Sequence, residues 1–145
     1  MKHQGAVMEY AEERMHDIMK AYNDYIMSCN YISISYICKQ IADMPARRFW
    51  VSEIWANKII TAMLKGKHPY YKMRALKKEM FREIYNRVVQ LREQHPDWSV
   101  NKCCEIVVAQ PAPKHYLSAD SIRVMICKEK KRRYEERKRR LRHCF

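Results

Sequence analysis

Hydrophobic residues recur along this chain with the alternating three- and four-residue spacing of one helix face. Over residues 7–28 the series runs through Met8, Ala11, Met15, Ile18, Tyr22 and Tyr25. Over residues 69–93 it runs through Met73, Leu76, Met80, Ile84, Val88 and Leu91. Two long helices are therefore predicted. Pro69 suits the first turn of the second helix, and His95-Pro96 should end it because a residue before proline avoids the α region.

A second pattern appears when the chain is compared with itself. Residues 31–60 align without a gap to residues 97–126, at an offset of 66 positions. The aligned pairs include Ser33/Ser99, Cys38/Cys104, Pro45/Pro111, Ala46/Ala112, Trp50/Tyr116 and Ser52/Ser118. Both copies share a Pro-Ala step followed by basic, aromatic, aliphatic and serine positions, which a chance match of apolar residues does not supply. We interpret the pattern as a tandem duplication.

Each repeat is predicted to contain a long helix, a short helix, a Pro-Ala turn and a third helix. Ser33 and Ser99 are candidate N-caps of the short helices, and Ser52 and Ser118 of the third helices. Gly66 is a candidate left-handed end for the third helix of the first repeat. The third helix of the second repeat has no such glycine and should continue to the end of the chain, supported there by acidic and basic residues four positions apart.

The predicted fold is therefore all-α: a tandem duplication of a three-helix, helix-turn-helix-like unit with a protruding basic C-terminal helix. The predicted boundaries are residues 1–66 for the first repeat, 67–127 for the second and 128–145 for the basic helix. The composition agrees, since the chain has two glycines and 48% hydrophobic residues. So few glycines exclude Gly-rich phosphate loops and argue against a hairpin-rich sheet protein.

The six cysteines do not follow metal-site spacing, because no C-x-x-C pair occurs. Cys38 and Cys104 occupy equivalent apolar positions in the two copies, which favours buried, reduced thiols over zinc, and we expect no metal and no cofactor. No stretch approaches the roughly 20 apolar residues of a membrane span, and the N-terminus lacks the apolar run of a signal peptide. The expected location is the cytoplasm of a bacterial host cell, or a virion, without a membrane partner.

The net charge of +13 is concentrated at the C-terminus. Residues 128–145 hold ten basic and three acidic residues, a net of +7 and more than half of the total. A concentrated basic segment attracts polyanions, so DNA or RNA is the predicted partner. The candidate contacts in this helix are Lys130, Lys131, Arg132, Arg133, Arg137, Lys138, Arg139, Arg140 and Arg142.

The repeats supply a second set of candidates, because a short helix, a turn and a further helix resemble a helix-turn-helix unit. The second helix of such a unit reads the major groove with its N-terminal residues, while basic groups of the turn grip phosphate. In the third helices the candidates are Asn57, Lys58, Thr61, Ser121 and Arg123. In the turns they are Arg47, Arg48, Lys114 and His115.

Other interpretations of the same residues stay open. Trp50 and Tyr116 could plug a core, which would make each repeat a packing module only. The basic segment could contact an acidic protein surface, as in an adaptor or structural protein of a larger assembly such as a virion component. Exposure of Trp50, Trp55 or Tyr116 would favour that alternative. No convergent catalytic set is visible, so we expect a protein that is not an enzyme.

The segments P-A-R-R-F-W-V-S and P-A-P-K-H-Y-L-S resemble a P-A-P-R-F-Y-[VI]-S-like motif. That motif precedes a helix in uncharacterised small basic proteins of phages and mobile elements of gut bacteria. The resemblance covers residues 45–60 and 111–126. Arg47 replaces the second proline in the first copy, and Lys114 and His115 replace Arg-Phe in the second. The resemblance implies a mobile-element setting and carries no activity with it.

Overall fold

The computed structural model describes residues 10–28, 33–69 and 72–144, and within them every regular element is a helix. The predicted all-α class is thereby confirmed. The predicted helical position of Met8 lies outside the described residues. The helices are α1 (Ala11–Ser28), α2 (Ile34–Ala42), α3 (Glu53–Leu64), α4 (Ala75–Gln94), α5 (Val100–Val108) and α6 (Ala119–His143).

Serine side chains start the short and third helices, as predicted. The Oγ atom of Ser52 accepts a hydrogen bond from the Trp55 amide at 3.2 Å, and that of Ser118 accepts one from the Ser121 amide at 3.1 Å. Ser99 caps α5 in the same way. Each bond satisfies an amide that the first helical turn leaves without an intrahelical partner, which fixes where these helices begin.

The predicted helix ends at Gly66 and at His95-Pro96 are confirmed, whereas the predicted start of α4 near Pro69 is wrong. Gly66 has φ +79°, and the amides of Gly66 and Lys67 donate to the carbonyls of Met63 and Ala62, which closes α3. His95 leaves the helical conformation after Gln94. The helix α4 begins at Ala75 rather than near Pro69. Met73 packs against the core from the preceding loop, so its spacing did not mark a helix.

The helices form two compact units, and each unit combines helices from both sequence repeats. Unit 1, mainly Asp43–Tyr116, contains α3, α4 and α5, with Phe49, Phe81 and Ile84 fully buried in its core. Unit 2 contains α1, α2 and α6, with a core that includes Ile18, Ile37, Ile41, Ile122 and Ile126. Each unit thus has a long helix and a short helix of one repeat and the third helix of the other.

The compact units therefore cut across the predicted boundaries at residues 66 and 127. The reason lies in the connections: residues 43–52 and 109–118 are too long for the three- or four-residue turn that would fold α3 back on α2, or α6 back on α5. Instead, α3 packs against α4 and α5, and α6 packs against α2. Consecutive short and third helices consequently belong to different units.

The two Pro-Ala segments pair with each other inside unit 1. The amide of Ala46 donates to the carbonyl of Ala112, and the amide of Ala112 donates to the carbonyl of Ala46, both at 3.0 Å. Beside this bridge, Phe49 stacks on Tyr116 with ring centroids 6.0 Å apart, and Trp50 stacks on His115 at 6.2 Å. At the 66-residue offset these two ring pairs are equivalent, so the paired segments have a local two-fold symmetry.

Candidate nucleic-acid interface

The basic residues of the Pro-Ala segments are used largely inside unit 1. The Arg48 guanidinium donates to the backbone carbonyls of Phe49 and Val51 at 3.2 and 3.3 Å, and it lies 5.8 Å from the centre of the Tyr10 ring. Arg47 is exposed. The guanidinium of Arg48 therefore holds the segment in shape, and a phosphate would have to displace three existing contacts to reach it.

Lys114 and His115, the predicted phosphate contacts of the second segment, are also engaged. The Lys114 ammonium forms a 2.7 Å ion pair with Glu79. His115 is only 3% exposed, and its Nδ1 accepts a hydrogen bond from the Trp50 indole at 3.0 Å. From this position His115 cannot contact a phosphate, and we leave it out of the candidate interface. The prediction missed these partners because they lie far away in the sequence.

The polar candidates at the third helices are divided between α3 and α6. Within α3, the Thr61 hydroxyl donates to the side-chain carbonyl of Asn57 at 3.3 Å, and the Lys58 ammonium lies 5.2 Å from the centre of the Trp55 ring. At the start of α6, Ser121 takes part in the cap and Arg123 is exposed. These two groups fall in different units, because α3 belongs to unit 1 and α6 to unit 2.

The basic helix α6 has a packed first half and a solvent-facing second half. Ile122 and Ile126 are fully buried, and Glu129 is the last buried residue of the helix. Lys130 is held at this boundary, since its ammonium donates to the Tyr22 hydroxyl of α1 and lies over the Tyr22 ring. Every described residue beyond it is exposed or half-exposed.

Glu129 organises the first basic turn of this second half. Its carboxylate accepts two hydrogen bonds from Arg132, at 2.7 and 3.1 Å, and one from Arg133 at 3.0 Å. The hydrogen bond from Arg132 is the main reason that the pKa of Glu129 lies below its usual range, against the opposing effect of burial. Arg132 and Arg133 are therefore partly neutralised within the helix.

Glu136 is the last acidic residue of the helix, and it pairs with two arginines. Its carboxylate pairs with Arg132 at 3.0 Å and with Arg140 at 2.9 Å. The last described turns contain no acidic residue and carry Arg137, Lys138, Arg139, Arg140 and Arg142. We call these five residues the terminal cation cluster. Cations at a helix C-terminus also interact favourably with the helix dipole, which stabilises the helical state of this segment.

One exposed basic residue of α6 is absent from the predicted contacts, although the sequence carries its signal. Lys128 is exposed on α6 and lies on the same side of the helix as Lys131 and Arg139, which follow at helical spacing. Lys131 has no acidic partner among the described side chains. A count of helical positions from Arg139 backwards would have found Lys128.

The repeat alignment predicted buried thiols at Cys38 and Cys104, and both are buried. Cys38, Cys103 and Cys104 are buried, and burial raises the pKa of the Cys104 thiol to about 12, which makes it a poor nucleophile. Cys127 and Cys144 are exposed. Within the described ranges, no three histidine, cysteine or acidic side chains are grouped as metal ligands would be. None of the described helices has the length and apolarity that crossing a bilayer requires.

No known protein family, no curated protein and no solved structure matches this chain.

Proposed function

We propose that this protein is a non-enzymatic nucleic-acid-binding protein, with DNA as its ligand, and that the second half of α6 makes the principal contact. The observation that carries the proposal is the terminal cation cluster: five cations on turns of the helix that contain no acidic residue and that its unit does not cover. Among the described side chains, Arg140 alone of the five has an acidic partner, which is Glu136 one turn earlier. Such a segment gains free energy from releasing the counterions of a nucleic acid.

The contact surface is more restricted than the sequence predicted. Glu129 and Glu136 already pair with Arg132, Arg133 and Arg140, whereas Lys128 and Lys131 are exposed and have no acidic partner among the described side chains. The phosphate contacts are thus assigned to Lys128, Lys131 and the terminal cation cluster. Within the cluster, Arg140 exchanges Glu136 for phosphate, since its side chain is 76% exposed despite the ion pair. Contacts of this kind position a protein on a nucleic acid without reading its sequence.

The two compact units each contain three helices, and this helix extends from unit 2. We propose that they descend from one duplicated three-helix unit, which the reciprocal Ala46–Ala112 bridge and the equivalent ring pairs support. Helix-turn-helix docking has less support, because α2 and α3 fall in different units and His115 is buried. The setting proposed from the motif resemblance is a phage or mobile element, with a role in regulation or in packaging DNA.

The test is a binding titration on the full chain with a fluorescently labelled DNA duplex at low salt. Replacing the five cluster residues with glutamine should weaken binding at least tenfold, because each replacement removes a phosphate contact. The matched control replaces five exposed lysines elsewhere with glutamine and loses the same charge: Lys20, Lys39, Lys65, Lys67 and Lys77. Equal losses in both variants, or no binding by the wild-type chain, would contradict the proposal.

A second candidate function, an adaptor in a larger assembly, is favoured by a different observation. Ile54 is 78% exposed and Trp55 40% exposed in the first turn of α3, although Trp50 and Tyr116 are buried. An exposed apolar pair of this kind marks a protein contact. If it is used, a partner captured from host cells by the wild-type chain should be lost with Ile54→Ser/Trp55→Ser, while DNA binding persists.

A further inference from the structure

The terminal cation cluster surrounds the helix axis instead of forming a stripe on one side. At about 100° per residue, Arg137, Lys138, Arg139 and Arg140 point in directions about 0, 100, 200 and 300° around the axis, and Arg142 at about 140°. A helix lying on a flat anionic surface would contact about half of these directions. The cations on its far side would then face water, where they add little.

Two exposed apolar side chains define one side of the same segment. Tyr134 is 56% exposed and Leu141 is 59% exposed. They are seven residues apart, so they lie within about 20° of each other around the axis, between Arg137 and Lys138. The Lys138 ammonium lies 5.1 Å from the centre of the Tyr134 ring. With this side facing downward, Arg142 points to one side and Arg139 points up. Arg140, which is 76% exposed despite its ion pair with Glu136, points to the other side.

This arrangement matches the inside of a groove. The major groove of B-form DNA is about 12 Å wide, has phosphates along both walls and exposes thymine methyl groups on its floor. A helix with its side chains is about 10–12 Å across, and the segment from Lys130 to His143 is about 21 Å long at the rise of an α-helix. The solvent-facing half of α6 therefore fits the groove in width and is long enough to follow it for several base pairs.

We infer that the second half of α6 inserts into the major groove of B-form duplex DNA, with Tyr134 and Leu141 toward the base edges and Arg140 and Arg142 toward the two phosphate walls. The inference rests on the proposed function and specifies its ligand. A-form RNA has a deep, narrow major groove that side chains cannot read, and a single strand has no groove. The helix thus discriminates by the shape of the duplex.

Competition on the full chain tests the inference. A labelled 20-base-pair DNA duplex is displaced with unlabelled duplex DNA, duplex RNA of the same sequence, or single-stranded DNA. Duplex DNA should compete at least tenfold better than either of the others. Methyl green, which occupies the major groove, should displace the protein, and netropsin, which occupies the minor groove, should not.

Two variants test whether exposed apolar side chains contact the floor of the groove, independently of the overall affinity for nucleic acid. Tyr134→Ser/Leu141→Ser removes two exposed side chains that belong to neither hydrophobic core, so the fold should be preserved. The preference of the chain for duplex DNA over duplex RNA should fall several fold. The control Met27→Ser/Val124→Ser removes two other exposed apolar side chains and should leave the preference unchanged.

The outcomes distinguish this inference from the proposed function. If the chain binds duplex DNA and duplex RNA equally, or if netropsin displaces it, the groove assignment is overturned while nucleic-acid binding stands. If the chain binds none of the three nucleic acids at low salt, both fail.

Discussion

The third helices α3 and α6 begin alike and end differently. Both start at a serine cap after equivalent Pro-Ala segments, and Ile60 of α3 and Ile126 of α6, equivalent at the 66-residue offset, are both fully buried. At the next turn α3 ends at Leu64, and Gly66 follows in the left-handed conformation. The equivalent position in α6 is Arg132, which pairs with Glu129 and Glu136 and lies within a helix that continues for three more turns.

The comparison locates the divergence of the two helices at one aligned position, which is Gly66 after α3 and Arg132 within α6. A glycine in the left-handed conformation closes α3 as soon as its buried face is complete. An arginine with carboxylates three positions before and four positions after it stabilises the helix where burial ends. The extension then holds cations in a regular array that a disordered tail would not hold.

The largest expected effect comes from the shared part of the two helices. Ile60→Ala and Ile126→Ala should each lower the free energy of unfolding by about 2–5 kcal/mol, since each removes a fully buried side chain and leaves a cavity. Urea unfolding followed by signals from each unit measures the effect. Because Ile60 lies in unit 1 and Ile126 in unit 2, each variant should weaken its own unit more. Identical effects on both units would contradict the exchanged arrangement.

Arg132→Gly should weaken α6 beyond residue 132, so that the helix ends near the position at which α3 ends. Glycine disfavours the helix interior, and the ion pairs to Glu129 and Glu136 are lost with it, so helical NMR shifts of residues 133–143 should weaken. Arg132→Ala is the control, because it removes the same ion pairs and keeps a strong helix former. If both variants leave the shifts unchanged, the helix is stabilised by something other than Arg132.

The converse change tests the stop signal of α3. Gly66→Ala should destabilise unit 1 by about 1 kcal/mol, because an L-residue at φ +79° is strained even though a Cβ would meet no atom within 4 Å. Thermal unfolding measures this loss. A gain in stability would mean that the left-handed conformation at Gly66 is not required.

The serine caps should have smaller and unequal effects. Ser52→Ala and Ser118→Ala each remove the hydrogen bond to a first-turn amide, at a cost of about 1 kcal/mol. Ser52 is buried whereas Ser118 is exposed, so water can replace the lost bond more easily at Ser118. Denaturant unfolding should therefore show the larger loss for Ser52→Ala, and the reverse order would be inconsistent with this burial difference.

The smallest expected effect is a pH dependence at Glu129. Its pKa lies below the usual 4.5, so the ionised carboxylate stabilises the fold above that pH and the stabilisation is lost as the pH falls through the folded-state pKa. Glu129→Gln should be less stable than the wild-type chain at pH 7, and the difference should shrink below about pH 4. A difference that stays constant from pH 7 to pH 3 would exclude this role for the carboxylate.

The local structure was predictable, and the tertiary partners were not. Serine caps and Gly66 act on neighbouring amides and carbonyls, so the sequence alone located them correctly. Apolar spacing identifies which face of a helix is buried but not what covers it. Because α3 and α6 have equivalent apolar faces, either could complete either unit, and the sequence offers no rule for choosing.

The same limit applied to the candidate site. The basic helix was predictable because its charges lie close together in the chain. His115 and Lys114 were predicted as phosphate contacts because nothing near them in the sequence pointed to another partner. Their actual partners, Trp50 and Glu79, lie far from them in the sequence. The division of α6 at Glu129 depends on where unit 2 ends, which only the packed structure reveals.

The salt dependence of duplex DNA binding tests the central claim most directly. The logarithm of the binding constant is measured against the logarithm of the salt concentration for the wild-type chain and for the chain with the terminal cation cluster replaced by glutamine. The slope of the variant should be shallower by about 4.5, since five phosphate contacts are lost and each changes the slope by about 0.9. Two parallel lines would contradict the account, because they would show that these cations do not touch the phosphates.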